Sequence, residues 1–323
     1  MKTVRNGSGE YSDCIVDHFG FNNFATEDSD KMLFWGWAYA ATPSLRNEYS
    51  EFKKKYFINT AAPCEFLENN QAWANHSAID NLEYFDKVYT ICPYTAEWIN
   101  STKGGDRYVP ICFPYPEHKF DKYRNTTFQS KQNDVYYYGQ VHHAWYDACL
   151  QAVSNLRGIN LKFSTISSHN FNNFPKLASL VTDYNVTSEQ KWDLLNKSKV
   201  TFGCNLLFTN EHHREVVRSY DSWEKNKAFE WLDSGIMPQM KTRMVEAAAA
   251  KTLMLVAKDN WNVIEHWFSP GHDFLYFDTP QHLEEMLPEI LNNYEKYWHI
   301  VENAHQTVQK FTTKKLWDQI AKG

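Results

Sequence analysis

The chain has 323 residues, 43% of them hydrophobic and 22% charged, enough for one large or two ordinary globular domains. Its formal net charge of −6 excludes the globally basic surface of a nonspecific nucleic-acid binder, so nucleic acid is a disfavoured partner unless a local basic groove exists. No uninterrupted apolar run approaches a membrane span and the opening "MKTVRNGSGEYSDC" lacks the apolar core of a secretory signal, so a cytoplasmic protein without stable membrane insertion is expected.

In chain order, short apolar runs alternate with polar or helical stretches. Strands are predicted at Cys14–Phe19, Lys31–Trp37, Lys55–Thr60, Lys87–Cys92 and Arg107–Phe113. Between the last two, Pro93 and Thr95 open a helix that Gly104 and Gly105 end. The polar segment Pro116–Asp134 is the best linker. A second series follows: the strand "DVYYYGQ" at 134–140 with its Gly turn, a helix around "AWYDACLQAVSNL", and the strand Leu161–Ile166. Next come the helix "SEQKWDLLNKSK" capped by Thr187 or Ser188, and one strand over Val200–Phe208. The helix "TRMVEAAAAK", the strand "TLMLVA" and the strand Phe274–Phe277 come next. Thr279 then caps a helix with Pro280 at its first position, and helical pattern runs to the end.

Strand–helix alternation implies parallel sheets with helices on their faces. Two such series predict two Rossmann-like domains, residues 1–128 and 129–323, facing across a cleft. Ligands of such sheets bind beyond the carboxyl ends of the strands.

The segment "MPQMKTRMVEAAAAKTLMLVAKDNW", residues 237–261, sets a physical problem. Lys241 and Arg243 stand where a helix begins, at the positive end of its dipole, and cations there are unfavourable without a negative neighbour. With Thr242 as N-cap, Arg243 is the first helical residue, and Glu246 lies three positions on, on the same face. Ala247 and Ala250 share that face and leave room for a ligand or a close neighbour. Two cations and free backbone N–H groups make an anion site. A carboxylate one turn deeper can accept hydrogen bonds from vicinal hydroxyls, and together these describe a nucleotide sugar. The bland alternative is a solvated helix start with an Arg243–Glu246 surface pair.

At these residues the chain resembles the donor domain of GT-B glycosyltransferases, group 1, CgeB-like type. The matching positions are Arg243, Glu246 and Ala247, then Glu265, Phe268, Pro270, Gly271, Asp273 and Asp278. The resemblance runs over 199–314 and extends back to Asp134. It implies a GT-B fold with a reduced N-terminal acceptor domain, and a last helix able to cross back to it. It also implies sugar transfer from a nucleotide-diphosphate donor to a carbohydrate-type acceptor (a glycan, a lipid-linked sugar or a protein), retaining and without a metal or other cofactor. Carried over by position, Glu246 holds the ribose hydroxyls, Arg243 and the amides near Thr242 face the diphosphate, and Gly139 lets its loop approach the donor; Lys241 joins the donor-binding set through the helix-start charge alone.

Three positions depart from the family pattern. Pro238 stands where many members have a second Glu, Lys251 stands where a Gly follows the Ala run, and "QVHHAWYD" lacks the basic residues some members place after the Gly turn. His142, with His143, is the expected substitute donor. On the acceptor side, the loop "NTAAPCEFLENNQAWANHS" carries Glu65 and His76, candidates for base catalysis.

Other motifs carry less. Asp28-Ser-Asp30 has a metal-binding D-x-D form but precedes its strand, so a solvated loop is favoured. The histidine pairs at 142–143 and 212–213 do not form an HExxH motif. The cysteines, of which Cys92 and Cys112 are the closest pair, exclude CxxC motifs. Trp35 and Trp37 alternate on one strand, as core aromatics or a sugar-stacking wall. Two rival functions stay open: transfer to modified DNA bases, and a degenerate binding module motivated by Pro238.

Overall fold

The computed structural model describes residues 1–5, 21–26, 29–36, 47, 49–59, 84–208 and 235–322. The expected strand at Cys14–Phe19, Glu65, His76, Asp28, Trp37 and the 212–213 pair lie outside the described residues.

The chain forms two compact units, assembled from alternating segments. Unit 1 takes its residues from Met1–Pro116, Leu206–Met240 and Phe311–Gly323; unit 2 takes Glu117–Asn205 and Lys241–Lys310.

Unit 1 holds a parallel sheet of β1 (Lys2–Arg5), β2 (Lys31–Gly36), β3 (Lys54–Asn59), β4 (Lys87–Thr90) and β5 (Tyr108–Pro110), in that spatial order. Period-2 alternation puts Phe34 and Phe57, at paired positions, on one face, where their rings stack at 5.5 Å and both meet Phe85. Helix α1 (Pro93–Lys103) starts with Pro at its first position and ends at Gly104 with φ 77°.

Unit 2 begins with the short helix α2 (Glu117–Asp121) and then builds a six-stranded parallel sheet. In chain order its elements are β6 (Asn133–Tyr138), α3 (Ala144–Asn155), β7 (Leu161–Thr165), β8 (Asp183–Tyr184), α4 (Ser188–Lys197) and β9 (Ser198–Gly203). Thr187 caps α4 in a full capping box with Gln190.

One strand was expected over 200–208. Instead β9 stops at Gly203, and after Cys204 and Asn205 a separate strand, β10 (Leu206–Phe208), pairs antiparallel with β11 (Ile236–Pro238) in unit 1. The chain returns at α5 (Thr242–Ala249), β12 (Leu253–Ala257), β13 (Leu275–Phe277), α6 (Pro280–Asn292) and α7 (Tyr294–Val308). Thr279 caps α6 through its side chain, with Pro280 following. The last helix, α8 (Thr313–Lys322), belongs to unit 1. Trp317 meets Phe24, and Lys31 donates to the Ala321 carbonyl at 2.6 Å.

The sheet of unit 2 reads β13-β12-β9-β6-β7-β8. Strand order reverses between β6 and β9: β7 and β8 lie to one side of β6, and β9, β12 and β13 to the other. This is the order of doubly wound sheets, which as a class take ligands beyond the carboxyl ends of the two strands flanking the reversal. Those ends are Tyr138–Gly139 and Gly203–Cys204.

Candidate functional site

Helix α5 delivers its first turn to these strand ends. Lys241, in extended geometry (φ −106°, ψ 135°), occupies the N-cap, so the helix starts one residue earlier than expected and Thr242 is its first residue. The shift has a local cause. The Lys241 N–H is held by the Asn205 side chain at 3.0 Å, and its carbonyl accepts from the Met244 N–H.

Arg243 reaches back across the sheet end. Its guanidinium lies 4.3 Å from the Tyr137 ring centre, 5.0 Å from Tyr138 and 6.0 Å from Tyr146, and Nη2 donates to the Tyr138 carbonyl. Two glycines make space for it. A Cβ on Gly139, where φ is +119°, would stand 2.7 Å from Nη2, and one on Gly203 would stand 3.4 Å from Nη1. Burial lowers the arginine's pKa and the neighbouring Tyr137, Tyr146 and Tyr138 raise it, with a net rise, so the guanidinium stays charged as arginines do. Its Nε–H is buried with no hydrogen-bond partner among the described residues.

Glu246 is wholly buried one turn on. One carboxylate oxygen accepts from the Tyr138 hydroxyl, and the other pairs with Lys191 Nζ on α4 at 2.7 Å. Arg243 and Glu246 therefore form no surface pair; both converge on Tyr138 at the crevice. Burial, then the neighbouring carboxylate, pushes the Tyr138 phenol far above its ordinary range, so it remains a donor at any physiological pH. The room expected beside Ala247 and Ala250 is filled: both are fully buried.

The other residues singled out in the sequence have partners of their own. His142 is exposed, bonds Gln140 at 2.6 Å and meets the His169 ring edge-on. His143 caps α3, accepting from the Trp145 N–H, and burial lowers its pKa, which suits a neutral ring acting as acceptor. Asp273, matched by the family motif, serves the loop around Gly271: it is buried and accepts from the Ser269 N–H and the Thr307 hydroxyl. Pro238 is buried at the end of β11 in unit 1. No group of three or more His, Cys, Asp or Glu among the described residues could hold a metal, and no described helix is long and apolar enough to cross a membrane.

Sequence reasoning missed Tyr138, Tyr146, Lys191 and Gly203 as parts of the site. The triple tyrosine of "VYYYGQ" was the available signal, since a buried strand needs neither three phenols nor a following Gly.

A family model described as glycosyl transferase-like matches residues 147–322. No curated protein matches. Among solved structures, Anabaena HepE in complex with UDP is similar at a TM-score of 0.61 and 10% identity, covering 99% of this chain and 90% of that one. TarM, known from S. aureus, is similar at 0.60 and 12% over 92% of this chain and 55% of its own. The pneumococcal O-GlcNAc transferase GtfA in complex with UDP and GlcNAc is similar at 0.55 and 10%, over 94% and 58%. The chain thus spans little more than half the length of TarM and GtfA. At such identities the likeness establishes the fold, which is that of GT-B glycosyltransferases.

Proposed function

The chain belongs to the glycosyl transferase-like family, and from that premise we propose that it moves a sugar from a nucleoside-diphosphate donor to an acceptor hydroxyl. The observation that carries this reading is the placement of Arg243 and Glu246 on the first turns of α5, against the strand ends where the order of unit 2 reverses. A guanidinium with an unmatched buried N–H calls for an anion. The diphosphate, the leaving group of the reaction, supplies one. Stabilising the charge that develops on it, in a crevice lined by tyrosines, is the largest rate contribution such a site can make. Lys241 and the α5 amides add to the same field, and a resident metal is not part of the proposal.

Glu246 is the proposed ribose ligand. Both its oxygens are engaged, so a ribose diol reaches it by replacing Lys191. That lysine retains 19% side-chain exposure against 1% for the carboxylate and can swing outward. Glu65 and His76 remain the proposed acceptor-side groups, on sequence grounds. The CgeB-like subtype, retention of configuration, and an acceptor among glycans, lipid-linked sugars and proteins belong to the same proposal, as does the cytoplasmic location. HepE and GtfA, whose complexes contain UDP, make UDP-sugars the first donors to try.

The test is a thermal-shift series with UDP-, GDP-, ADP- and dTDP-sugars. The true donor at a hundredfold excess over Kd stabilises the fold by about 2.7 kcal/mol. Arg243→Ala and Glu246→Gln are expected to abolish the shift while circular dichroism stays unchanged. If both bind donor like the parent chain, the assignment is wrong.

A further inference from the structure

The turn that puts Gly139 beside Arg243 is fixed at both ends, and by the His169 side chain between them. The Gly139 N–H donates to the Ser164 carbonyl of β7 at 3.0 Å, and His143 caps α3. Midway, Val141 is 1% exposed, and its N–H donates to Nε2 of His169 at 3.2 Å. His169 lies in the loop after β7, and that loop is itself braced. The His169 N–H donates to the Ile166 carbonyl at 3.0 Å. At the end of β8, the Asn185 side chain accepts from the Ser167 N–H at 2.9 Å and donates to the Ser167 hydroxyl at 2.8 Å. Asn185 does so from a left-handed backbone, φ +53°, which Asn tolerates better than most residues.

The Val141–His169 contact exists in one protonation state. A neutral imidazole has one N–H and one bare nitrogen. Nε2 accepts from Val141, so the ring proton sits on Nδ1. Protonating Nε2 would set an N–H against an N–H, and a buried amide without a partner is among the costlier defects of a fold. The surroundings favour the neutral ring. Burial lowers the His169 pKa, and the charge of His142, whose ring meets it edge-on at 5.5 Å, lowers it further. Phe171, the other ring against it at 4.4 Å, carries no charge. Among the described residues no carboxylate bonds to either ring nitrogen to hold a second proton there.

We propose that His169 is a positioning residue for the donor crevice: through the Val141 N–H it holds the Gly139 turn in the shape that leaves Arg243 its place, and it releases the turn when Nε2 takes a proton. The proposal rests on the donor reading of Arg243 given above. A Cβ at Gly139 would touch Nη2, and Nη2 donates to the carbonyl of Tyr138, the residue before it. A shift of the turn therefore moves both the acceptor and the space that orient the guanidinium. A donor that meets a loosened turn must order it, which lowers its affinity. The sign is opposite to that of a direct histidine contact. A diphosphate touching His142 or His169 binds more tightly as the imidazole charges in acid, whereas a turn held by neutral His169 makes binding weaken there.

The test has two arms, both on the full chain. In the first, hydrogen exchange of residues 139–143 is measured without donor at pH 8 and pH 5 and corrected for the intrinsic rate at each. Protection in the parent is expected to fall about tenfold in acid, the loss of one buried hydrogen bond. It is low at both pH values in His169→Ala. It is kept at both in His169→Gln, whose side-chain oxygen accepts the same N–H and does not titrate. The Gln variant also controls for acid effects elsewhere in the chain, which it shares with the parent. In the second arm, affinity is measured over the same range for whichever of the UDP-, GDP-, ADP- and dTDP-sugars gives the largest thermal shift; none carries a phosphate that titrates there. It should weaken about tenfold from pH 8 to pH 5 in the parent and stay level in His169→Gln. Protection of the turn that ignores pH, or affinity that rises in acid, overturns the proposal. If that rise vanishes in His142→Ala, His142 is the anion contact instead. Failure of the donor reading looks different: no nucleotide sugar binds at any pH, while the exchange arm still decides whether His169 holds the turn.

Discussion

Gly139 shows how a single side chain organises the donor crevice. Its φ of +119° is costly for any residue with a Cβ, and the atom itself would fall 2.7 Å from the Arg243 guanidinium. Gly139→Ala is expected to lose about 1–3 kcal/mol in urea unfolding. It should also reduce the donor-induced thermal shift, because Arg243 must move. This glycine was legible in the sequence, since a Gly closing an apolar strand marks a turn. Glu246 was legible through its spacing from Arg243, but its immediate partners were not: Lys191 lies on another helix, and only the folded sheet brings it within 2.7 Å. The contacts of His142 were not legible, because its bond to Gln140 is local and its ring partner His169 lies on another loop, and neither leaves a periodic signal.

Among the elements, the junction of α5, β12 and α7 carries the second buried charge cluster. Lys251, where the family pattern has Gly, keeps the left-handed backbone that Gly would take, with φ +55°. Its ammonium is buried on the Arg124 carbonyl at 2.6 Å and the Glu302 carboxylate at 2.9 Å. The departure is thus a substitution of side-chain anchoring for backbone freedom. Lys131 comes from the other side, donates to the Asn196 carbonyl at 2.6 Å and to the Lys251 carbonyl, and shares the Trp298 ring with Lys251. Burial, then the Lys251 charge, brings the Lys131 pKa down to about 7.

The sign of this linkage follows from the two states. Below pH 7 both folded and unfolded chains hold the proton, and the cost of burying the charge is full. As pH rises above 7 the folded chain releases it first, so stability rises, by at most about 1.4 kcal/mol per pH unit, until the unfolded lysine also titrates. Chemical unfolding of the parent and of Lys131→Met from pH 6 to 9 checks this. The parent should gain on the variant steadily above pH 7, and a difference independent of pH would refute the assignment. Strands β2, β3, β6 and β12 were legible because parallel strands buried on both faces read as continuous apolar runs. The break of 200–208 into two strands was not, since the apolar run continues through Gly203-Cys204-Asn205 and only pairing partners in different units separate its halves.

Across the whole molecule, unit 1 depends on its last segment. Leu316, Trp317 and Ile320 are buried in it, Thr313 donates to the Tyr115 carbonyl, and Lys31 reaches the end of α8. Each large apolar side chain buried contributes about 1.5–3 kcal/mol, and three together approach the net stability of an ordinary domain. A chain ending at Lys310 should therefore lose hydrogen-exchange protection in β2, β3 and β4 while β6, β9 and β12 keep theirs. Equal loss in both sheets would show that the units do not hold independently. The two-series organisation was legible from strand–helix alternation. The return of 206–208 and 235–240 to the first unit was not, because no composition shift marks a crossing made inside one apolar run; for the last helix the family resemblance, not the composition, supplied the expectation of a crossing.

That interleaving has a consequence for how the protein is made. During translation β1 to β5 leave the ribosome early, yet the helix that covers part of their sheet is synthesised after every strand of the other unit. Nascent chains ordinarily complete their amino-terminal module first. Here that module lacks Leu316, Trp317 and Ile320, all buried in the folded chain, until α8 emerges, so its completion is expected to come after that of the later-made strands.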